Sequence, residues 1–183
     1  REDFDVNASS KEGRTPLILA CMSGNSKTVK KLLARSDVDV NAAMRGGITA
    51  LVHACKKGNG KVVAALLKRE DLDINLASKL GSPLVLACRE NKFAVIHQLL
   101  SRKDLDVNSV KSSGSQIVRC KETPLEIGCN NDSDGVVELL ITRPDLDVNK
   151  GNADGRTPLI VACSKRNFKI VSLLLTRRDL EVN

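Results

Sequence analysis

The sequence repeats itself with a period close to 34 residues, and this repetition constrains the fold more than any single motif does. An asparagine that lies two positions after an acidic residue returns at intervals of 34, 34, 33, 41 and 34 residues. These asparagines are Asn7, Asn41, Asn75, Asn108, Asn149 and Asn183. A fixed period of about 20 to 50 residues is typical of stacked repeat architectures, in which each unit contacts only its neighbours.

Each unit contains a pair of residues that predicts the start of a helix. The pairs are Thr15-Pro16, Thr49-Ala50, Ser82-Pro83, Thr123-Pro124 and Thr157-Pro158. A hydroxyl side chain caps free backbone N–H groups, and proline fits the first helical position because no hydrogen bond is lost there. Apolar residues then recur twice with the spacing i, i+3, i+4, as in 17–21 and 29–33, with a Gly-Asn turn between them. Two short antiparallel helices are therefore predicted in each unit.

The remainder of each unit predicts an extended finger. The alternating segment D-V-D-V-N is β-prone, and a polar, glycine-bearing stretch such as A-S-S-K-E-G-R leads from it to the next helix start. A helix pair this short cannot bury its own apolar face, so the units must stack to form a continuous core. The predicted fold is an all-α solenoid of helix-turn-helix units with β-hairpin fingers.

The motifs G-R-T-P-L-I-L-A-C, G-N-x-x-x-V-x-x-L-L and D-V-D-V-N resemble the ankyrin repeat. The resemblance extends from Asp5 to Asn183 and comprises five consecutive units. It implies a single ankyrin-repeat domain over residues 1–183. The units span about 15–48, 49–81, 82–122, 123–156 and 157–183.

The chain departs from the family pattern at two recurring positions. The histidine that usually follows Thr-Pro-Leu is replaced by Ile18, Val52, Val85, Glu126 and Ile160. The glycine between the helices is kept as Gly24 and Gly58, but later units have Asn91, Asp132 and Arg166 there. We expect these changes to alter local hydrogen bonding and to leave the fold unchanged.

The third unit is about seven residues longer than the others, with the extra length between Asn108 and Thr123. Its Ser-Ser-Gly-Ser run favours a turn and the following Q-I-V-R favours a strand, which predicts a longer hairpin finger over 109–122. Insertions in repeat proteins often lie on the binding face. The alternative is a tolerated loop extension, because the entropy of loop closure rises slowly with length.

The cysteines predict a reduced core and one reactive thiol. Five of them share one position in the first helix of each unit, namely Cys21, Cys55, Cys88, Cys129 and Cys163. A small buried side chain explains this pattern better than disulfides or zinc do, because no C-x-x-C spacing occurs. Cys120 lies outside the pattern, and its neighbours Arg119 and Lys121 favour the reactive thiolate. Reduced cysteines predict a cytoplasmic location, with the nucleus as the alternative.

No motif in the sequence predicts catalysis, a cofactor or a metal site. Gly58–Lys61 contains part of a phosphate-binding loop, but it lacks the required spacing and falls in a turn between helices. An arginine followed two residues later by aspartate recurs after each second helix. We interpret these pairs as a structural ladder, because a cation there complements the helix dipole. The chain is therefore predicted not to be an enzyme by itself.

The charge of the chain predicts an acidic partner. Its net charge is +7, and aromatic residues make up 2% of the sequence. The resemblance implies that a protein partner contacts the finger tips and the exposed face of the first helices. The corresponding positions are Lys11, Arg14, Met22, Arg45, Ile48, Lys56, Lys57, Lys79, Arg89, Glu90, Asn130, Asn131, Arg156 and Lys165.

Two alternative functions remain open at this point. The basic surface could bind an anionic ligand such as nucleic acid or a phosphoinositide headgroup, although few aromatic residues are present for base stacking. The chain could also be the targeting segment of a larger enzyme or a pathogen effector. Membrane insertion is not expected, because no apolar run of about 18 residues occurs.

The last outer helix, F-K-I-V-S-L-L-L-T, is apolar, and neither end of the chain has an atypical polar capping unit. We therefore expect a fragment of a longer array or of a larger protein. As an isolated chain, it is expected to be a monomer that can associate end to end.

Overall fold

The chain forms two layers of stacked helices. The computed structural model describes residues 5–110, 122–152 and 154–182. Its ten described helices are α1 Pro16–Met22, α2 Ser26–Leu33, α3 Ala50–Lys57, α4 Gly60–Leu66, α5 Pro83–Arg89, α6 Phe93–Leu100, α7 Pro124–Asn130, α8 Asp134–Ile141, α9 Pro158–Lys165 and α10 Phe168–Leu174. Odd-numbered helices pack in sequence as an inner layer, and even-numbered helices form an outer layer. The predicted all-α solenoid is confirmed.

All five predicted helix starts are confirmed. In each case the hydroxyl of the Thr or Ser accepts a hydrogen bond from the backbone N–H three residues later, as Thr15 does from Ile18 at 3.3 Å. The turn between the helices uses a left-handed residue in every unit, with φ of 74° at Gly58. Arg166 adopts the same conformation at φ 59°, with some strain because its Cβ crowds the backbone.

An asparagine side chain joins each unit to the next. The Asn41 Nδ2 group donates to the carbonyl of Asp71 at 2.7 Å, and the Asn41 Oδ1 atom accepts from the backbone N–H of Asp73 at 2.9 Å. Asn7, Asn75, Asn108 and Asn149 form the same two bonds with their following units. The period seen in the sequence is therefore the period of one inter-unit hydrogen-bond pair.

A recurring arginine forms a second link between units. The Arg69 guanidinium binds both carboxylate oxygens of Asp71, at 2.9 and 2.7 Å, and donates back to the Arg35 carbonyl of the preceding unit at 2.9 Å. This hydrogen bonding lowers the pKa of Asp71. Arg143 and Arg177 repeat the pattern. Arg102 binds Asp104 in the same way and donates to the Leu67 carbonyl of the preceding unit. The structural interpretation of the arginine ladder is confirmed, because these side chains satisfy carbonyls at the ends of outer helices.

The fingers pair with one another at their edges. One finger contains the hairpin of β1 Ala43–Met44 and β2 Ile48–Thr49. The backbone N–H of Arg45 donates to Glu12 of the preceding finger at 3.0 Å, and that of Lys79 donates to Gly46 at 2.8 Å. The longer hairpin predicted over 109–122, with Cys120 in it, falls mainly in residues 111–121, which lie outside the described residues.

The cysteine prediction is right for four of the five repeated positions and wrong for Cys163. Cys21, Cys55, Cys88 and Cys129 are buried, whereas Cys163 is exposed. The helices of the four buried cysteines, α1, α3, α5 and α7, each pack against the inner helix of the next unit, and no described inner helix follows α9. Burial raises the pKa of Cys21 to about 12, and that of Cys129 also to about 12.

We expect Cys163 to be alkylated at least about tenfold faster than the four buried cysteines, because a buried thiol reacts only after local opening and ionises less readily. A time course with iodoacetamide under native conditions, read by mass spectrometry, measures each rate. Modification of Cys55 as fast as Cys163 would show that the inner layer is not closed over its thiols. Cys120, predicted from sequence to react ahead of the core thiols, is followed in the same experiment.

One carboxylate is buried at the join between the last two units. Glu126, in the first turn of α7, is 1% exposed, and its Oε1 atom accepts a hydrogen bond from the amide of Asn152 in the next finger. Its Oε2 atom is also buried and has no partner among the described residues. Burial is the main cause that raises the pKa of Glu126, and the nearby Glu122 carboxylate adds to it.

The raised pKa predicts how Glu126 affects stability. The folded state holds the proton more tightly than the unfolded state, so the free energy of unfolding falls as pH rises through the raised pKa. We expect Glu126→Gln to increase the free energy of unfolding by about 1 kcal/mol near pH 8, because the variant has no carboxyl group whose ionisation favours the unfolded chain. Near pH 4 the difference should vanish.

Urea unfolding of the variant and the parent chain at both pH values tests this expectation. Glu138→Gln, on the exposed side of α8, is the matched control and should change little at either pH. The expectation is contradicted if the free energy of unfolding of Glu126→Gln, relative to that of the parent chain, is lower near pH 8 than near pH 4.

Candidate partner-binding surface

The fingers and the ends of the inner helices form one surface. The Arg89 Nη1 group, at the end of α5, donates to the carbonyl of Leu80 in its own finger at 2.9 Å. In the next two units Asn130 donates to the Glu122 carboxylate at 2.8 Å, and Arg156 donates to the hydroxyl of Ser164 at 2.9 Å. We call this continuous surface, made of the fingers and the last turns of the inner helices, the finger face.

Most of the residues predicted to contact a partner are exposed on the finger face. The exposed ones are Lys11, Met22, Arg45, Lys56, Lys57, Lys79, Glu90, Asn131, Arg156 and Lys165. The other four, Arg14, Ile48, Arg89 and Asn130, are only half-exposed. All fourteen belong to the fingers or to the C-terminal parts of the inner helices, but they are not equally exposed.

Local contacts accompany the reduced exposure of all four, and for Asn130 the contact is its bond to Glu122. Arg14 forms an ion pair with Glu12 at 2.7 Å, and Ile48 lies in strand β2 against β1. Arg89 is held by its bond to the finger, and its Nη2 atom is buried without a partner among the described residues. Arg89 therefore contributes positive charge to the surface from a fixed position.

The centre of the finger face is positively charged. Lys56 and Lys57 are exposed in the last turn of α3, and Arg45 and Lys79 lie on neighbouring fingers. None of these four side chains forms an ion pair with another described residue. The fingers that carry Arg45 and Lys79 are linked through the backbone bond from the Lys79 N–H to the Gly46 carbonyl.

The sequence did not single out three further residues of this surface. Leu19 of α1 and Leu80 of the third finger are exposed by 47% and 39%, and Leu19 lies one helical turn before Met22. His53 takes the place of Leu19 in the second unit and is half-buried, with its Nδ1 atom unpartnered among the described residues. Leu19 and His53 occupy the same repeat position, and a comparison of that position across the units could have identified both from the sequence.

Burial, reinforced by the charges of Lys57 and Lys56, lowers the pKa of His53. The imidazole is therefore neutral at physiological pH, and the basic character of the surface comes from its lysines and arginines. Two exposed apolar side chains, Leu19 and Met22, which we call the apolar patch, lie on α1, and α1 packs against α3, the helix that carries the lysines of the basic centre.

The described residues offer no site for a metal ion or a membrane span. No three His, Cys, Asp or Glu side chains in residues 5–110, 122–152 and 154–182 come together as metal ligands would. None of the helices described above is long and apolar enough to cross a membrane.

The chain matches a family model described as ankyrin repeats in three copies. The matches cover residues 2–78, 32–111 and 84–183, which together span nearly the whole chain. No curated protein matches it. Ankyrin repeats generally mediate protein–protein interactions, and the family is typically non-catalytic. With the repeated caps, asparagine links and paired fingers described above, these matches show that the chain belongs to the ankyrin-repeat family.

Proposed function

We propose that the chain is a non-catalytic scaffold that binds an acidic segment of a protein partner along the finger face. The observation that carries this proposal is the set of four exposed cations on neighbouring units, Lys56, Lys57, Arg45 and Lys79, none paired with a described carboxylate. A cluster of one charge sign steers an oppositely charged segment and raises its association rate.

The apolar patch of Leu19 and Met22 supports a partner of mixed chemistry. Both side chains are exposed beside the basic centre, where they offer contact area that charge alone does not provide. Charged contacts at an interface rim mainly affect association rate, whereas buried apolar contacts hold the complex. We infer that the acidic segment carries at least one apolar side chain that contacts this patch.

The placement of the aromatic side chains disfavours single-stranded nucleic acid as the partner. The chain has three phenylalanines and no tryptophan or tyrosine, and Phe93 and Phe168 belong to helices α6 and α10 of the outer layer. No described aromatic ring therefore lies on the finger face to stack on bases. A basic surface without stacking groups suits acidic side chains better.

We further infer that the chain acts as a monomer in the cytoplasm, with the nucleus as the alternative compartment. The four buried, unpaired cysteines favour a reducing environment. Association end to end would use exposed apolar groups of the last unit, such as Ile160, Phe168 and Leu175.

We expect the double reversal Lys56→Glu and Lys57→Glu to weaken partner binding by about 2 kcal/mol, because it replaces attraction at the centre of the surface with repulsion. The free energy of unfolding should change by less than about 0.5 kcal/mol, because both side chains are exposed. Affinity capture from the native source at low and high salt, followed by a titration with the captured protein, measures the effect.

Lys27→Glu with Lys31→Glu is the matched control. Both lysines are exposed on α2 in the outer layer, and the change in net charge is the same. We expect this control variant to lose little affinity for the partner. For the parent chain, we expect the association rate to fall at high salt. If the α2 pair weakens binding and the α3 pair does not, the partner does not occupy the finger face.

A further inference from the structure

A second basic surface lies on the outer layer, in a groove between α2 and α4. The groove has a volume of about 550 Å³, within the range of about 300–1,000 Å³ that is typical of ligand sites. Leu33 and Ala34 line it from the first unit, and Ala64 and Ala65 line it from the second. These side chains belong to the outer helices, and the finger face is formed by the inner helices and fingers.

The groove exists because α4 has small side chains where other units have large ones. The position of Ala65 is occupied by Leu139 in α8 and by Leu173 in α10, and both leucines pack against the core. The position of Ala64 is occupied in the other units by Lys30, His97, Glu138 and Ser172, three of which are much larger. Because α4 has alanine at these two adjacent positions, space is left beside Leu33 of α2.

The rim of the groove is positively charged. Lys30 borders it on α2, Lys61 lies in the first turn of α4, and Lys68 lies just beyond the end of α4. None of the three forms an ion pair with a described residue, and residues 26–34 and 60–68 contain no Asp or Glu. Arg69 also lines the groove, but its guanidinium is occupied by Asp71 and by backbone carbonyls.

We propose that this groove binds an acidic amphipathic α-helix of a protein partner. The apolar stripe of that helix packs on Leu33, Ala34, Ala64 and Ala65, and its Glu or Asp side chains reach the three lysines. Residues spaced i, i+4 and i+7 on one helix can meet both requirements at once. The like-charged lysines of the rim repel one another in the free chain, and acidic side chains remove that repulsion.

The shape and the lining of the groove favour an acidic helix over a small inorganic anion or an anionic membrane surface. The groove runs between two helices that occupy the same place in consecutive units, and alanine at its floor lets a third helix approach closely. A small inorganic anion would leave the apolar floor uncovered. An anionic membrane surface would require protruding apolar groups, whereas Ala64 and Ala65 are recessed, and the exposed Phe93 and Phe168 lie on other outer helices.

The probe for this proposal is a synthetic helical peptide of about 18 residues with leucines at i, i+4 and i+7 and glutamates on both flanks. Binding to the intact chain is measured by fluorescence anisotropy and by NMR shifts of the α2 and α4 amides. We expect Ala64→Leu, which fills the groove without changing charge, to weaken binding at least about tenfold. The same change at exposed Ala94 of α6 should have no effect.

Charge reversal by Lys61→Glu with Lys68→Glu should also weaken binding at least about tenfold, and thermal melts confirm that each variant is folded. Lys56→Glu with Lys57→Glu should change the affinity for the peptide less than about twofold. The groove proposal and the finger-face proposal can therefore fail independently of each other. Equal binding of a scrambled peptide, no binding at about 1 mM, or no effect of Ala64→Leu would overturn the proposal. Preferential binding of phosphatidylserine vesicles, weakened by the same variants, would overturn it in favour of a membrane.

Discussion

The structure depends on contacts between neighbouring units, and the asparagine link is the polar part of that contact. One amide side chain satisfies a carbonyl and a backbone N–H of the next unit, so two otherwise unpaired groups are bonded across each join. The arginine ladder adds bonds to the carbonyls at the ends of the outer helices. Apolar stripes that no single unit could bury then form one core, because the links fix the distance and angle between units.

This regular stack places variable side chains on two surfaces while the repeated ones hold the fold. On the finger face, the bonds of Arg89 and Asn130 to their fingers hold the surface together, and Lys56 and Lys57 project from it. On the outer layer, Ala64 and Ala65 of α4 line a groove, and two later units have leucine at the position of Ala65. Both surfaces arise from side chains that differ between units, and such differences cost little because each unit contacts only its neighbours.

The repeat, the helix caps and the arginine–aspartate pairs could be predicted from the sequence because each depends on residues within one unit. The exposure of Cys163 could not, because it depends on whether another inner helix covers α9. The half-burial of Arg89 and Ile48 depends on how closely a finger approaches a helix. The groove over Ala64 and the unpaired oxygen of Glu126 likewise require two units to be placed side by side.

Hydrogen exchange along the intact chain tests most directly whether each unit is held by its neighbours. The last unit contacts one neighbour, and its Phe168 is 82% exposed, whereas the second unit is enclosed on both sides. Amides in residues 166–182 should exchange well before those in residues 49–100, because local opening is easiest where the fewest contacts are lost. Equal protection in the two segments would contradict it, since it would mean that the chain opens as one body and not unit by unit.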